Sequence, residues 1–412
     1  MSNRFKALAL AGSLAMVAGT AVPAAAQTDL TLWTTEEAGP LEFVEGLAAA
    51  YSEANPDVNI TTIFHAPEDM VNDVLTAALG GQAPDVLWTQ ADHVGPLSAA
   101  YQIAPLDGLV DTSVYEPAAL EVTTVDGQAW GAPNSFGNAL MLYYNKDIVA
   151  EAPANTDELI ELAVANTDVA NDKYGLVYNQ TQSFWLTPWL GGFGAEVFDA
   201  EGNPTLDSDE MVNALTFLQD LKWEHGVMPV DADYDVADGL FKGGDAAMII
   251  NGDWTLGAYK DIFGDSLGIA PLPEVVGGDW PAPWLSGKYL MLPAATAEDE
   301  EKAAVVADLV DFINNTENQV AMAESLARIP GNAEAIADPV VADDPFIAGT
   351  AAASANGTGQ PVNLEMNCAW DAMTSALVSV NASADNSPAD AAASMQSALE
   401  AAVAPGGACG PE

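Results

Sequence analysis

Basic residues are nearly missing from this chain. Ten Lys and Arg face sixty Asp and Glu across 412 residues, for a formal net charge of −50. So negative a surface repels phosphate, which excludes nucleic acid as a partner and argues against an anionic membrane surface. Cysteine is nearly absent too, with only Cys368 and Cys409, and there are only three histidines, far apart in sequence: His65, His93 and His225. That scarcity leaves too few ligands for a zinc or iron site. A pair of cysteines in an exported protein is most simply one disulfide, here pinning the C-terminal tail near Trp370. After the first thirty residues no apolar run reaches the roughly 18 residues that a membrane span requires.

The N-terminus supplies the address. Met1–Gln27 opens with Arg4 and Lys6, continues through Ala, Leu, Met and Val, and closes on Ala24-Ala25-Ala26. This reads as a secretory signal cut between Ala26 and Gln27. No cysteine stands at the cut, so no lipid anchor is expected. Removing Arg4 and Lys6 makes the mature chain still more acidic. The acids are scattered (Asp231, Asp233, Asp235; Glu298–Glu301; Asp343-Asp344), and half of the residues are hydrophobic. Both features favour a folded protein with a carboxylate surface suited to salty water over a disordered chain. A calcium store would need a D-x-D-x-D-G-x5-E loop, which is lacking.

The length predicts two domains. Asp29–Trp33 and Val58–Phe64 read as strands, and Leu41, Val44, Leu47 and Tyr51 between them fall at helical spacing. Met70–Leu79 reads as a helix and Asp85–Trp88 as a third, buried strand. This alternation implies a parallel sheet covered on both faces. A second run alternates likewise: strands at Ala139–Tyr144, Gly175–Tyr178 and Ala246–Ile250, and helices at Leu186–Leu190, stopped by Gly191-Gly192, and Met211–Glu224. Tyr289–Leu292 reads as a strand. Glu298–Asn314 reads as an amphipathic helix capped by Thr296. The chain after Phe346 is Ala-rich and helical. The expected fold class is α/β.

Enzyme signatures are missing. There is no G-x-S-x-G, H-E-x-x-H, P-loop or G-x-G-x-x-G. Sixty acids supply carboxylate pairs by chance, so no single pair is evidence of glycoside hydrolysis. Tryptophans beside acids at predicted strand or helix ends carry more information. Sugar rings stack their C–H faces on aromatic rings, and their hydroxyls require acids and amides. Trp254 in Asn-Gly-Asp-Trp and Trp370 in Cys-Ala-Trp-Asp fit that chemistry, whereas Trp88, inside a strand, reads as core. Asp92 follows a strand end, where ligands collect in open α/β sheets. His93 beside it suits either a ligand donor or a capped loop histidine. Arg328 is the only arginine after the signal. Its fork of donors suits a sugar hydroxyl pair or a structural carboxylate clamp.

In order, Leu32-Trp33-Thr34-Thr35, Ala83–Trp88, Tyr144–Asp147, Phe241–Met248 and Asn251–Trp254 resemble the extracellular sugar-binding proteins of ABC importers, nearest their maltose- and trehalose-binding branch. The resemblance spans almost the whole mature chain, and Phe241–Trp254 is its most specific part. It implies a two-lobed clamp of the type II periplasmic-binding-protein fold, each lobe a mostly parallel sheet flanked by helices, with three crossovers. The lobes would take residues 27–137 with 287–338, and 138–286 with 339–412. By the same resemblance Glu37 and Asp92 are acidic sugar contacts, and His93 stands where maltose binders often carry Arg. Asn138 stands where they carry Glu, and Gln182-Ser183-Phe184 where they carry Glu-Pro-Tyr. Trp254 and Trp370 match stacking rings, Asp371 replaces a Tyr, and Thr89 falls where the family has a Trp contact, one residue beyond Trp88. Exchanging acids for amides changes which hydroxyl stereochemistry is read, so the resemblance implies sugar binding more firmly than maltose binding. It further implies a monomer without cofactor or catalysis, working with the membrane subunits of an ABC permease. Rival readings are the same clamp for an amino-sugar or polyol, a secreted glycoside hydrolase, and a passive acidic envelope protein.

Overall fold

A computed structural model describes residues 27–199 and 201–410; the expected signal segment, residues 1–26, lies outside them. The longer strands are β1 (Thr28–Thr34), β2 (Val58–Phe64), β3 (Val86–Gln90), β4 (Leu140–Asn145), β5 (Tyr174–Val177), β6 (Ala246–Gly252), β7 (Leu267–Ala270) and β8 (Lys288–Pro293). The helices used below are α1 (Ala38–Ala54), α2 (Met70–Leu79), α3 (Thr187–Phe193), α4 (Glu300–Ile313), α5 (Leu364–Ala382) and α6 (Pro388–Val403).

The strands divide into two main sheets. One runs β2-β1-β3-β8, extended by Ile103–Ala104 and by Ala132–Pro133, which also pairs with β8; the other runs β5-β6-β4-β7. β1 is parallel to β2 and β3, and β5 to β6. β8 is antiparallel to β3, and β4 to both β6 and β7. Each sheet is therefore mostly parallel, as expected, with one long strand reversed, β8 in the first and β4 in the second. The cause is connectivity. β4 and β8 are entered directly from the other unit, so they start at the sheet edge where β1, β3 and β6 end, and must run the opposite way.

Each sheet has its own core. Leu30, Leu32, Val86, Trp88 and Leu290 pack against Val44, Leu47 and Tyr51 of α1 and Val306, Leu309 and Ile313 of α4. In the second unit Leu142, Leu176, Met248 and Ile250 pack against Trp185, Trp189 and one face of α5 and α6. Trp88 is fully buried, as its place inside a strand predicts. Two extended crossings join the units back to back. Gly137 and Ser286 exchange backbone hydrogen bonds of 2.9 and 2.8 Å, and Ser135–Phe136 pairs with Ile329–Pro330. A Cβ on Gly287 would stand 1.9 Å from the Ser135 carbonyl oxygen, so the crossings touch backbone to backbone and require glycine there. Short helices from Ala333–Ala337 to Pro345–Ala353 return the chain to the second unit, where Phe346 and Ala353 join its core. No helix among the described residues is long and apolar enough to cross a membrane.

Two local readings require correction. α4 starts at Glu300 and is capped by Asp299, whose carboxylate accepts from the Glu301 and Lys302 amides. Thr296 instead donates to the Asp85 carbonyl. Gly191-Gly192 does not stop α3, which continues to Phe193 and ends at Gly194 in the left-handed conformation. Side chains at 191 and 192 would collide with Ala282 and Val275, so these glycines serve helix packing.

Candidate functional site

On the second unit, the polypeptide leaves β6 at Gly252 and turns through Asp253 to Trp254. The Trp254 ring lies over Gly252, where a Cβ would meet it at 1.9 Å, so the Gly-x-Trp spacing sets the ring's position. Its indole N–H donates to the Tyr234 hydroxyl at 3.0 Å. Phe184 stands between Trp254 and Trp370, with ring centroids 6.1 and 6.2 Å away. Trp370 projects from α5 and meets Trp284 edge-on at 5.3 Å. Ser183 donates to the Trp370 carbonyl and shares a hydrogen bond with Thr374. Phe184, Trp254 and Trp370 are half-buried, and Gln182 and Asp371 beside them are exposed. The Trp370 indole nitrogen is buried without a partner. The cystine Cys368–Cys409 forms, anchoring the tail two residues from Trp370.

On the first unit, the ends of β1, β3 and β8 bring polar side chains together. Glu37 is exposed at the start of α1, and Asp92 is half-buried with one carboxylate oxygen unpartnered. His93 turns inward, with Nδ1 2.7 Å from the Thr89 hydroxyl. Burial lowers its pKa, with the Lys288 charge adding to the effect and Asp92 and the Pro67 carbonyl opposing it. Its ring is thus occupied by the protein, which matches the capped-histidine alternative.

Between the units lies a buried charge cluster that the sequence did not reveal. Arg328 grips Glu36 with both terminal nitrogens, at 2.5 and 2.9 Å, and Trp88 Nε1 donates to the same carboxylate at 3.1 Å. Arg328 is 6% exposed and Glu36 3%. Burial pushes the Glu36 pKa up, but the Arg328 and Lys288 charges outweigh it and hold the carboxyl at about 2. Of the two roles expected for Arg328, the carboxylate clamp is the contact present, with Glu36 in the guanidinium fork. Facing Arg328 from the second unit is Asp253, raised by burial to about 6 against the pull of Arg328 and the Asn138 amide. That amide donates to Asp253 at 2.9 Å. Asn138, expected as a sugar contact, thus sits in the crossing itself with left-handed backbone (φ 49°) and a half-buried side chain.

Glu36, Asp253 and Lys288 escaped the sequence reading. Asp253 was visible only as an acid beside Trp254. Lys288 had one signal, a cation opening an apolar strand in a chain with few cations.

Two of the candidate residues adjoin that cluster. Glu37 follows Glu36, Trp254 follows Asp253, and Glu36 and Asp253 both face Arg328. Elsewhere, Gly95 packs on the Val362 carbonyl, just ahead of α5. Two α/β units on paired crossings, with half-buried rings on one and the carboxylates of Glu37 and Asp92 on the other, define a two-lobed binding protein. Over residues 46–349 the chain matches the bacterial extracellular solute-binding proteins, and it belongs to that family. It is 28% identical over 355 residues to a maltotriose-binding protein of Pyrococcus abyssi (strain GE5 / Orsay), covering 84% of this chain and 76% of that protein. The maltose/maltodextrin-binding domain MalE of Bdellovibrio bacteriovorus, bound to maltotriose, has a TM-score of 0.84 at 28% identity, covering 90% of this chain and 99% of that one. The maltotriose-binding protein of Thermus thermophilus, bound with maltotriose, has a TM-score of 0.81 at 26% identity, covering 90% and 99%.

Proposed function

We propose that this chain is the substrate-binding component of an ABC importer for carbohydrate, taking a malto-oligosaccharide-like sugar into the seam between its units. One observation carries the reading: Phe184, Trp254 and Trp370 form a half-buried aromatic row, while Glu37 and Asp92 offer carboxylate oxygens from the other unit. Rings stack on C–H faces and carboxylates accept hydroxyl protons. Gln182 and Asp371 extend the polar set, and Asn138 adds an amide at the crossing. Named relatives that bind maltotriose support the sugar class.

In this reading the lobes are residues 27–137 with 287–338 and 138–286 with 339–412. The sugar gains contacts to both only when they approach, so it shifts the population toward the closed form. The closed monomer then docks on the permease in the periplasm, after a signal is cut near Ala26. No reaction is catalysed. The test is mass spectrometry of any compound retained through gentle purification and released by unfolding. A hexose oligomer is expected, and an amino acid, peptide or other non-carbohydrate would refute the reading.

A further inference from the structure

Lys288 opens β8 opposite Gln90, at the sheet edge where β1 and β3 end. It is 9% exposed, and its ammonium donates to the Thr35 hydroxyl at 2.9 Å. An ammonium has three donors. Among the described residues no carboxylate stands within 4.0 Å of it, whereas Lys173, Lys242, Lys260, Lys302 and Arg328 each hold one at that range. Burial lowers its pKa, opposed by Glu36, Asp92 and Glu37. A buried cation without an ion-pair partner is expensive, and persists where something else completes it. The nearby half-buried Asp92 has the complementary deficit, an orphaned carboxylate oxygen.

We propose that Lys288 is a specificity-determining residue of the sugar site. With Asp92 it grips a pair of neighbouring hydroxyls on a neutral sugar: the ammonium donates to one oxygen and the carboxylate accepts from the other. The inference rests on the carbohydrate reading above. The local charges set the ligand class. Glu36, Glu37 and Asp92 outnumber Lys288 and Arg328, so a uronate is repelled, while the ammonium disfavours an amino-sugar's cation at the same spot. His93 is held by Thr89 and Lys222 lies elsewhere, bonded to Gln180 and Asn381. That leaves Lys288 as the basic side chain for this position.

Calorimetric titration of wild type, K288M and K288Q with maltotriose tests this, with the melting temperature of each unliganded protein measured alongside. K288M should bind more than tenfold more weakly than wild type while still melting cooperatively, because relief of a buried cation offsets the loss of its charge beside Glu36. K288Q, which keeps a neutral donor, should fall between the two and remains the test if K288M does not fold. A merely structural lysine would give the opposite pattern: a lower melting temperature with unchanged affinity, which overturns the proposal alone. If wild type binds neither maltotriose nor any other sugar, the carbohydrate reading falls and this inference with it.

Discussion

Arg328 can do what lysine cannot, because Glu36 is held by two parallel hydrogen bonds from one planar group. Cutting the pair from one side strands a carboxylate where it cannot be solvated. R328M should therefore lose about 3–5 kcal/mol in denaturant unfolding, and R328M combined with E36L should recover much of that loss. Asp253 and Glu36 give opposite pH signatures. Asp253 is raised to about 6, so its contribution to stability is intact below about pH 4 and is lost as the pH rises through 6. Glu36 is lowered to about 2, so its contribution is present above about pH 4.3 and is lost as the pH falls toward 2. Measured as unfolding free energy, wild type should gain on D253N by about 1–3 kcal/mol between pH 7.5 and 4.5. A constant difference would show that Asp253 is not titrating in that range.

α5 carries Trp370 and Asp371 in its first two turns, and the cystine Cys368–Cys409 ties that stretch to the chain beyond α6. A crosslink spanning 41 residues should stabilise the folded chain by about 4 kcal/mol through the unfolded state. C368A/C409A should lower the midpoint of thermal unfolding accordingly. Element type was largely legible in the sequence, since β1, β3, α2 and the strand at β8 all follow from periodicity. Asp92, Trp254 and Trp370 were legible as acids and rings at element ends. Strand direction in β4 and β8 was not, because it depends on which unit the chain has just left. Nor was the Glu36–Arg328–Asp253 cluster, whose members lie far apart in sequence and meet only when both units are in place. Thr296 shows the local limit: its spacing suited a cap, but tertiary contact with Asp85 drew it away.

At the scale of the whole molecule, a net charge of −50 governs behaviour in solution. Self-repulsion opposes compactness, and salt shortens its reach from about 10 Å at 0.1 M to about 3 Å at 1 M. The unfolding midpoint should therefore rise with added KCl over that range, and a flat response would remove the case for a surface adapted to salt. In the proposed function, rings from one unit and carboxylates from the other close on a single sugar. Calorimetric titration of a glucose-oligosaccharide panel into wild type and W254A tests it most directly. Saturable binding of at least one oligomer to wild type is expected, weakened more than tenfold in a W254A protein that still folds. Binding that is indifferent to the loss of that indole, or no binding of any sugar in the panel, would contradict it.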